Sequence, residues 1–420
     1  MEPTVRAADP VAAQVVAMTH RQSHALVVFA ALAGGLILSI NMGVRQSLGL
    51  YLEPMVVANS WSRADFAMGL AVQNLVWGVF TPFAGALADR FGSLKVLVVG
   101  AVLFSVGLVV MALAVTPLGY IGGVGALIGL GTGATGFPLV LAVVGRIVSD
   151  RRRSLALGMV AAGGSVGQFL LPPFIVWVMD GNDWAGSLYA IAAVSVAMIP
   201  AALILVRPDV DAPHTSINRP IDLSLGAALN EASRAPGFWL LNAGFFVCGF
   251  HVAFIATHFP AYLSFCGLQP SVGAWALSVI GLFNIGGTLL AGWLGGRFVK
   301  KGLLAGIYAL RSVAIIVFIN LPVTETSVLM FAAAFGMLWL STVPLTSGLV
   351  AHLFGPRYVA TLFGIVMMSH QVGAFFGSWI GGYLFDLMGD YGGSWNIAIA
   401  LGIVAALIHL PIRERALAAA

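Results

Sequence analysis

Charge is what this 420-residue sequence has least of: Asp, Glu, Lys and Arg together make up 9% of it, against about 25% in an ordinary soluble domain. A globule of this length cannot cover its surface with so few charges. A water-soluble enzyme or binding module is therefore excluded, and lipid is the solvent the chain is built for. Cysteine is nearly absent too. Cys248 and Cys266 lie in or beside apolar stretches and make neither a disulfide framework nor a metal cluster. No histidine–carboxylate group has metal-ligand spacing. The Gly-rich loop ending in Lys and Ser or Thr, which cradles nucleotide phosphates, is missing. The glycines at 129, 131, 133 and 136 follow no strand, so ATP-driven work and dinucleotide chemistry have no support. Neither a metal, a cofactor nor an enzymatic activity is expected.

What the sequence has instead is apolar length. Residues of apolar or aromatic type fill 60% of it, and a spanning helix needs about 20 of them in a row. Twelve such stretches are expected, at 24–52, 64–86, 94–114, 117–144, 154–178, 184–206, 236–262, 273–296, 302–320, 324–350, 358–385 and 391–411. The first is no cleaved signal, because it lacks a small-residue cleavage pattern and another span follows at once. The one long polar stretch, Arg207 to Ala235, carries Pro208, Pro213 and Pro220 among its charges. The expected layout is an all-α polytopic membrane protein. It has a tail (1–23), a six-helix bundle (24–206), a linker (207–235), a second six-helix bundle (236–411) and a short tail (412–420).

The basic residues orient it. With both ends inside, every Lys and Arg except Arg45, Arg63 and Arg311 falls in a cytoplasmic loop, the linker or a tail, while Glu53, Asp65, Asp180, Asp183, Glu325 and Asp390 fall outside. That follows the positive-inside rule. A basic nucleic-acid face would cluster on one domain, and none does. Small residues at helical spacing, such as Gly373, Gly377 and Gly381, let helices approach closely where packing must replace the hydrophobic effect.

Ionisable groups inside spans are costly and point to function. Arg45 and Arg311 are the intramembrane cations, and no Asp or Glu lies in the middle third of any span. Arg45, about two turns from the outer end, reads as a substrate ligand, with pairing to Glu53 or Asp65 as the structural alternative. Arg311 reads more as a brace against a neighbouring helix terminus. His370 and His251 are the candidate proton carriers, since imidazole titrates in the physiological range; His258 sits near the outer end. Asn41, Gln46, Gln73, Asn74, Thr135 and Gln168 supply uncharged polar groups to the first half, and Asn284, Thr288 and Ser341 to the second. Trp77, Trp339 and Trp379 are expected to form an apolar wall. A cavity with one or two cations, amides and aromatic walls suits a small organic anion with an apolar part.

The loop after the second span reads Gly85-Ala-Leu-Ala-Asp89-Arg90-Phe-Gly92-Ser-Leu-Lys95, and that after the eighth Gly292-Trp-Leu-Gly-Gly-Arg297-Phe-Val-Lys300-Lys301. The first resembles the signature loop of the major facilitator superfamily, and the second a degenerate repeat of it. The resemblance implies two bundles that rock about a central site, with Gly85, Asp89, Arg90, Gly92 and Arg297 serving the conformational change. Three further segments resemble the monocarboxylate and oxalate/formate branch: Asn41 to Pro54 with Trp61-Ser62, Arg152 to Gly167, and Phe354-Gly355-Pro356-Arg357 with Gly381 to Asp386. Relatives in that branch place an arginine in the eighth span, where this chain has Asn284 to Thr288 and no cation. The resemblance implies a monomeric carrier of a small organic anion, a monocarboxylate, in a bacterial inner membrane, with symport with protons or anion exchange as the coupling. Efflux of an amphipathic drug and a ligand-binding transceptor are the competing readings.

Overall fold

The computed structural model describes residues 10–148, 150–206, 225–354 and 359–414. Residues 207–224 of the expected linker (207–235), the chain ends, the side chains of Arg151 and Arg152, and the motif residues Gly355, Pro356 and Arg357 lie outside the described residues. The described chain is helical throughout. We label the long helices α1 (Val28–Asn59), α2 (Arg63–Phe91), α3 (Ser93–Leu113), α4 (Pro117–Ile147), α5 (Leu155–Gly181) and α6 (Trp184–Leu205). After a helix at Leu225–Arg234 follow α7 (Pro236–Phe265), α8 (Pro270–Gly295), α9 (Lys300–Asn320), α10 (Glu325–Phe354), α11 (Val359–Met388) and α12 (Gly392–His409).

Among the described residues, 11 of these are long and apolar enough to cross a membrane. Twelve were expected, and α11, 30 residues long, is the twelfth long helix, with no Asp, Glu, Lys or Arg before Asp386. α1 belongs to a helix that starts at Pro10, well before the expected residue 24.

Helices α1–α6 pack together, as do α7–α12, and the two bundles meet along two long seams, α2 against α11 and α5 against α8, and where α1 packs on α7 near Gly49. Within each bundle the tightest pair is set by glycine. A Cβ on Gly167 of α5 would strike the carbonyl of Ser39 in α1, and one on Gly373 of α11 would strike the carbonyl of Phe246 in α7. The two halves thus use small residues on equivalent helices for backbone-to-backbone contact. The peripheral helices turn Leu113, Leu203, Val317 and Leu407 outward, all more than half exposed, as an apolar solvent permits.

Four spans are not continuous, α6 only through a turn at Ala197. α1 tightens into a 3₁₀ turn at Leu48–Tyr51, directly after Arg45, Gln46 and Ser47. α4 passes through a π-helical stretch, Ile121–Ile128, and then breaks at Gly136, whose backbone is extended. α10 breaks between Leu338 and Thr342. Both breaks stand just before a proline, Pro138 and Pro344, which has no N–H to give the carbonyl one turn earlier.

The seams close at one end only. At the end that carries Glu53, Arg63 and Asp386 the bundles are in contact, and contact continues to mid-span: a Cβ on Gly78 would strike Gln371, and one on Gly281 would strike Gln168 and Phe169. At the Asp89 end, a Cβ on Gly85, Gly158, Gly292 or Gly364 would meet nothing within 4 Å. The cleft between the bundles opens toward that end.

Candidate functional site

Arg45 lies at mid-span, half-buried on α1, where α1 and α2 face the second bundle. Its Nη1 donates to Asn74 Oδ1 at 3.3 Å. Asn74 is itself oriented by donating its Nδ2 to the Leu70 carbonyl at 2.9 Å, which leaves its oxygen turned to the arginine. The guanidinium rests over the Trp77 ring, 4.8 Å from its centre, and Nε has no partner. Both carboxylates proposed from sequence as structural partners are engaged elsewhere. Glu53 meets Arg63 at 2.6 Å, as an ion pair rather than an aligned hydrogen bond. Asp65 completes the capping box of α2 with Ser62. Among the described residues, no carboxylate pairs with Arg45.

The neighbouring polar side chains divide between this site and the scaffold. Gln46 crosses to the other bundle and donates to the Leu277 carbonyl at 2.8 Å. Asn41 turns into the first bundle, donating to Thr135 Oγ1 at 2.6 Å and toward the Thr132 carbonyl at 3.4 Å; it secures the last turn of α4 before the break. Gln73 is buried with Nε2 unpartnered. Gln168 packs in the α5–α8 seam. Asn284 stands at the same seam: its Nδ2 donates to Ser165 at 3.4 Å, and its Oδ1 accepts from Thr288 at 3.2 Å and from the Leu340 N–H at 3.1 Å. Ser341 returns its hydroxyl to the Met337 carbonyl at 2.6 Å.

Arg311 has a different task from Arg45. It is fully buried and donates to the Leu338 carbonyl at 2.7 Å and the Trp339 carbonyl at 2.6 Å. These are the carbonyls that the α10 break strips of their helical partners. A cation at a helix C-terminus also meets the negative end of the dipole, which explains how a guanidinium is held here without a carboxylate.

The structure does not bring every expected residue to Arg45. Trp339, 1% exposed, packs against Phe335 inside the second bundle and lines no open wall. Trp379 stands in a ladder with Phe375 and Tyr383 that leads outward, Tyr383 being 48% exposed. His251 bonds the Ala398 carbonyl at 2.8 Å and His258 the Ser378 carbonyl at 2.6 Å, both inside the bundle. His370, 6% exposed, reaches Gln371 Oε1 through Nδ1 at 3.1 Å. Gln371, absent from the site expected from sequence, meets Gly78, next to Trp77, together with Met368 of the same helix. Its place at one position past a histidine gave no signal without the register of α2 against α11.

The signature loop is compact. Gly92 alone joins α2 to α3 and adopts φ 92°, a conformation that disfavours any side chain. Asp89 pairs with Arg146 at 3.4 Å, Arg90 lies 5.2 Å from the Phe91 ring centre, and Arg297 lies 3.9 Å from that of Trp293. At the closed end, Asp386 of α11 accepts from the N–H groups of Arg63 at 3.0 Å and Ala64 at 2.7 Å, the first donors of α2. Arg63 also donates to Tyr391 Oη at 2.6 Å and sits 3.7 Å from the Phe385 ring centre. Among the described residues, no group of three or more His, Cys, Asp or Glu could hold a metal ion.

Known proteins agree with this architecture. The chain is 31% identical over 383 residues to human monocarboxylate transporter 11, covering 88% of this chain and 79% of that one. It is 27% identical over 385 residues to bovine monocarboxylate transporter 13, covering 88% and 85%. An uncharacterised MFS-type transporter of Bacillus subtilis, YcxA, is 24% identical over 363 residues, covering 83% and 85%. Among solved structures, a bacterial homologue of the human lysosomal transporter Spinster, inward-facing and occupied, superposes with a TM-score of 0.71 at 17% identity, over 91% of this chain and 96% of that one. Residues 25–378 match the family model of the Major Facilitator Superfamily. Eleven apolar spans among the described residues, their two bundles, the open cleft and this match lead to one conclusion: the chain is a membrane transporter belonging to the Major Facilitator Superfamily.

Proposed function

We propose that the chain is an alternating-access carrier of a small organic anion, a monocarboxylate, bound on Arg45. The observation that carries this is a half-buried guanidinium between the bundles, laid on Trp77, steadied by Asn74, with Nε unpartnered and no described carboxylate at hand. A cation held this way at mid-membrane is expensive unless an anion completes it. The names of the relatives, monocarboxylate transporters 11 and 13, support the cargo class. The open end is the cytoplasmic one by the distribution of basic residues, so the shape is inward-facing. With no carboxylate at mid-span, proton coupling is assigned to His370, whose chain neighbour and hydrogen-bond partner Gln371 stands in the α2–α11 seam.

Uptake of radiolabelled organic acids into proteoliposomes tests the reading. Arg45→Ala is expected to raise KM for a moved acid about tenfold or more, the loss of a charge-assisted hydrogen bond, while the yield of folded protein holds. Arg45→Lys keeps charge but not the fork and falls between. If Arg45→Ala moves the acids with unchanged KM, or if wild type moves cationic dyes and no acid, the proposal is wrong.

A further inference from the structure

The α2–α11 seam brings a second polar group toward the arginine, from the other bundle. Gly78 follows Trp77, and the space a side chain would fill there is occupied by the Cβ and Cγ of Gln371, at 2.8 and 2.7 Å from the ideal Cβ position. Trp77 in turn carries Arg45 on its ring. Gln371 is therefore one residue along α2 from the platform of the anion site, across the line on which the bundles part. His370 fixes its amide: Nδ1–H donates to Oε1 at 3.1 Å, which turns the amide oxygen to the ring. The amide nitrogen bonds no described group and is not among the sealed, unpartnered atoms. A primary amide oriented this way offers only donors.

We infer that Gln371 is a substrate-binding residue of the carrier: its amide N–H groups donate to the carboxylate oxygen that Arg45 does not take, and His370 is the residue that positions it. This rests on the anion-site reading of Arg45. The cargo is then held by one residue from each bundle, and the bound carboxylate itself links α1 and α2 to α11. His370, with its ring packed on Phe245 and 6% exposed, touches Gln371 rather than the cargo. It acts by choosing which face of the amide points into the cleft.

The test uses full-length protein in proteoliposomes with radiolabelled propanoate, lactate and benzoate. Gln371→Leu keeps the carbons that pack on Gly78 and removes the donors. A rise in KM of about tenfold or more is expected, as for loss of a hydrogen bond to a charged group, with Vmax within about twofold of wild type. His370→Ala is expected to raise KM less, to add nothing in a Gln371→Leu background, and to be partly rescued by His370→Asn. If the leucine variant gives no folded protein, Gln371→Asn withdraws the amide by one carbon and is expected to show the same rise. KM within twofold of wild type in Gln371→Leu, alongside lost binding in Arg45→Ala, overturns the assignment of Gln371 and leaves the anion site standing. Full additivity of the two substitutions overturns the positioning role of His370. Unchanged KM in Arg45→Ala removes the reading on which both rest.

Discussion

Substituting Arg63 with alanine is expected to let the closed end open. Arg63 belongs to the first bundle, and so does Glu53, so their ion pair contributes nothing to holding the bundles together. What crosses the seam is the bond to Tyr391 at 2.6 Å and the guanidinium against Phe385 at 3.7 Å. The arginine is 12% exposed, so screening is modest. A hydrogen bond from a charged group contributes about 1.5–3 kcal/mol, and a partly exposed cation–π contact about 0.5–1 kcal/mol. Loss of both costs the closed state about 2–4 kcal/mol, which shifts the balance between the two states by about 30-fold to several hundredfold. The two backbone bonds to Asp386 survive in this variant, so Arg63→Ala with Asp386→Ala should shift the balance further. Spin labels at Ala58 and Gln269, one on each bundle beyond the seam, read the result in a background where Cys248 and Cys266 are serine. Wild type should give one short distance, Arg63→Ala a second and longer population, and the double variant mostly the longer one. An unchanged distribution in the double variant refutes the latch, because nothing in it then holds the bundles at that end.

Gly167→Ala should lower Tm by several degrees and reduce folded yield, because the new Cβ meets the Ser39 carbonyl and two helix backbones must part; differential scanning fluorimetry in detergent measures it. Arg311→Met should lower Tm as well, by leaving the Leu338 and Trp339 carbonyls buried without donors, while substrate KM in the folded fraction stays near wild type; a large KM change with unchanged Tm would make Arg311 a substrate ligand. An inward proton gradient should drive accumulation of a moved acid in wild type and in His251→Ala, but not in His370→Ala. Accumulation in the His370 variant equal to wild type removes histidine coupling.

Fold and site were not equally legible in the sequence. Apolar length, the linker and the two signature loops state the bundle architecture directly, because lipid imposes one local rule on every span. Arg45 stood out for the same reason: a charge inside a span is rare whatever surrounds it. Asn74 and Trp77, one helical turn apart on α2, stood out with it. Gln371 did not: it meets Gly78, beside Trp77, only through the register of α2 against α11, which no periodicity encodes. Trp339 and Trp379 share the composition of a binding wall and differ only in which way their helices are turned. Arg311 reads in sequence as a brace against a neighbouring helix terminus, but which terminus was not legible, since the α10 break it caps is marked in sequence by nothing stronger than Pro344.

That cap bears on how the protein enters the membrane. Residues Lys300–Asn320 must partition into lipid with Arg311 at their centre, at an insertion cost of about 2.5–3.5 kcal/mol for the cation alone. The carbonyls that satisfy it belong to the very next helix, joined by a turn of four residues, Leu321 to Thr324. Emerging one after the other during synthesis, α9 and α10 are suited to leave the translocation machinery as a hairpin, the broken helix carrying the charge across for its neighbour. A chain stopped after Asn320 would present the arginine to lipid without its acceptors, and α9 would be the span most prone to slip back into the aqueous channel.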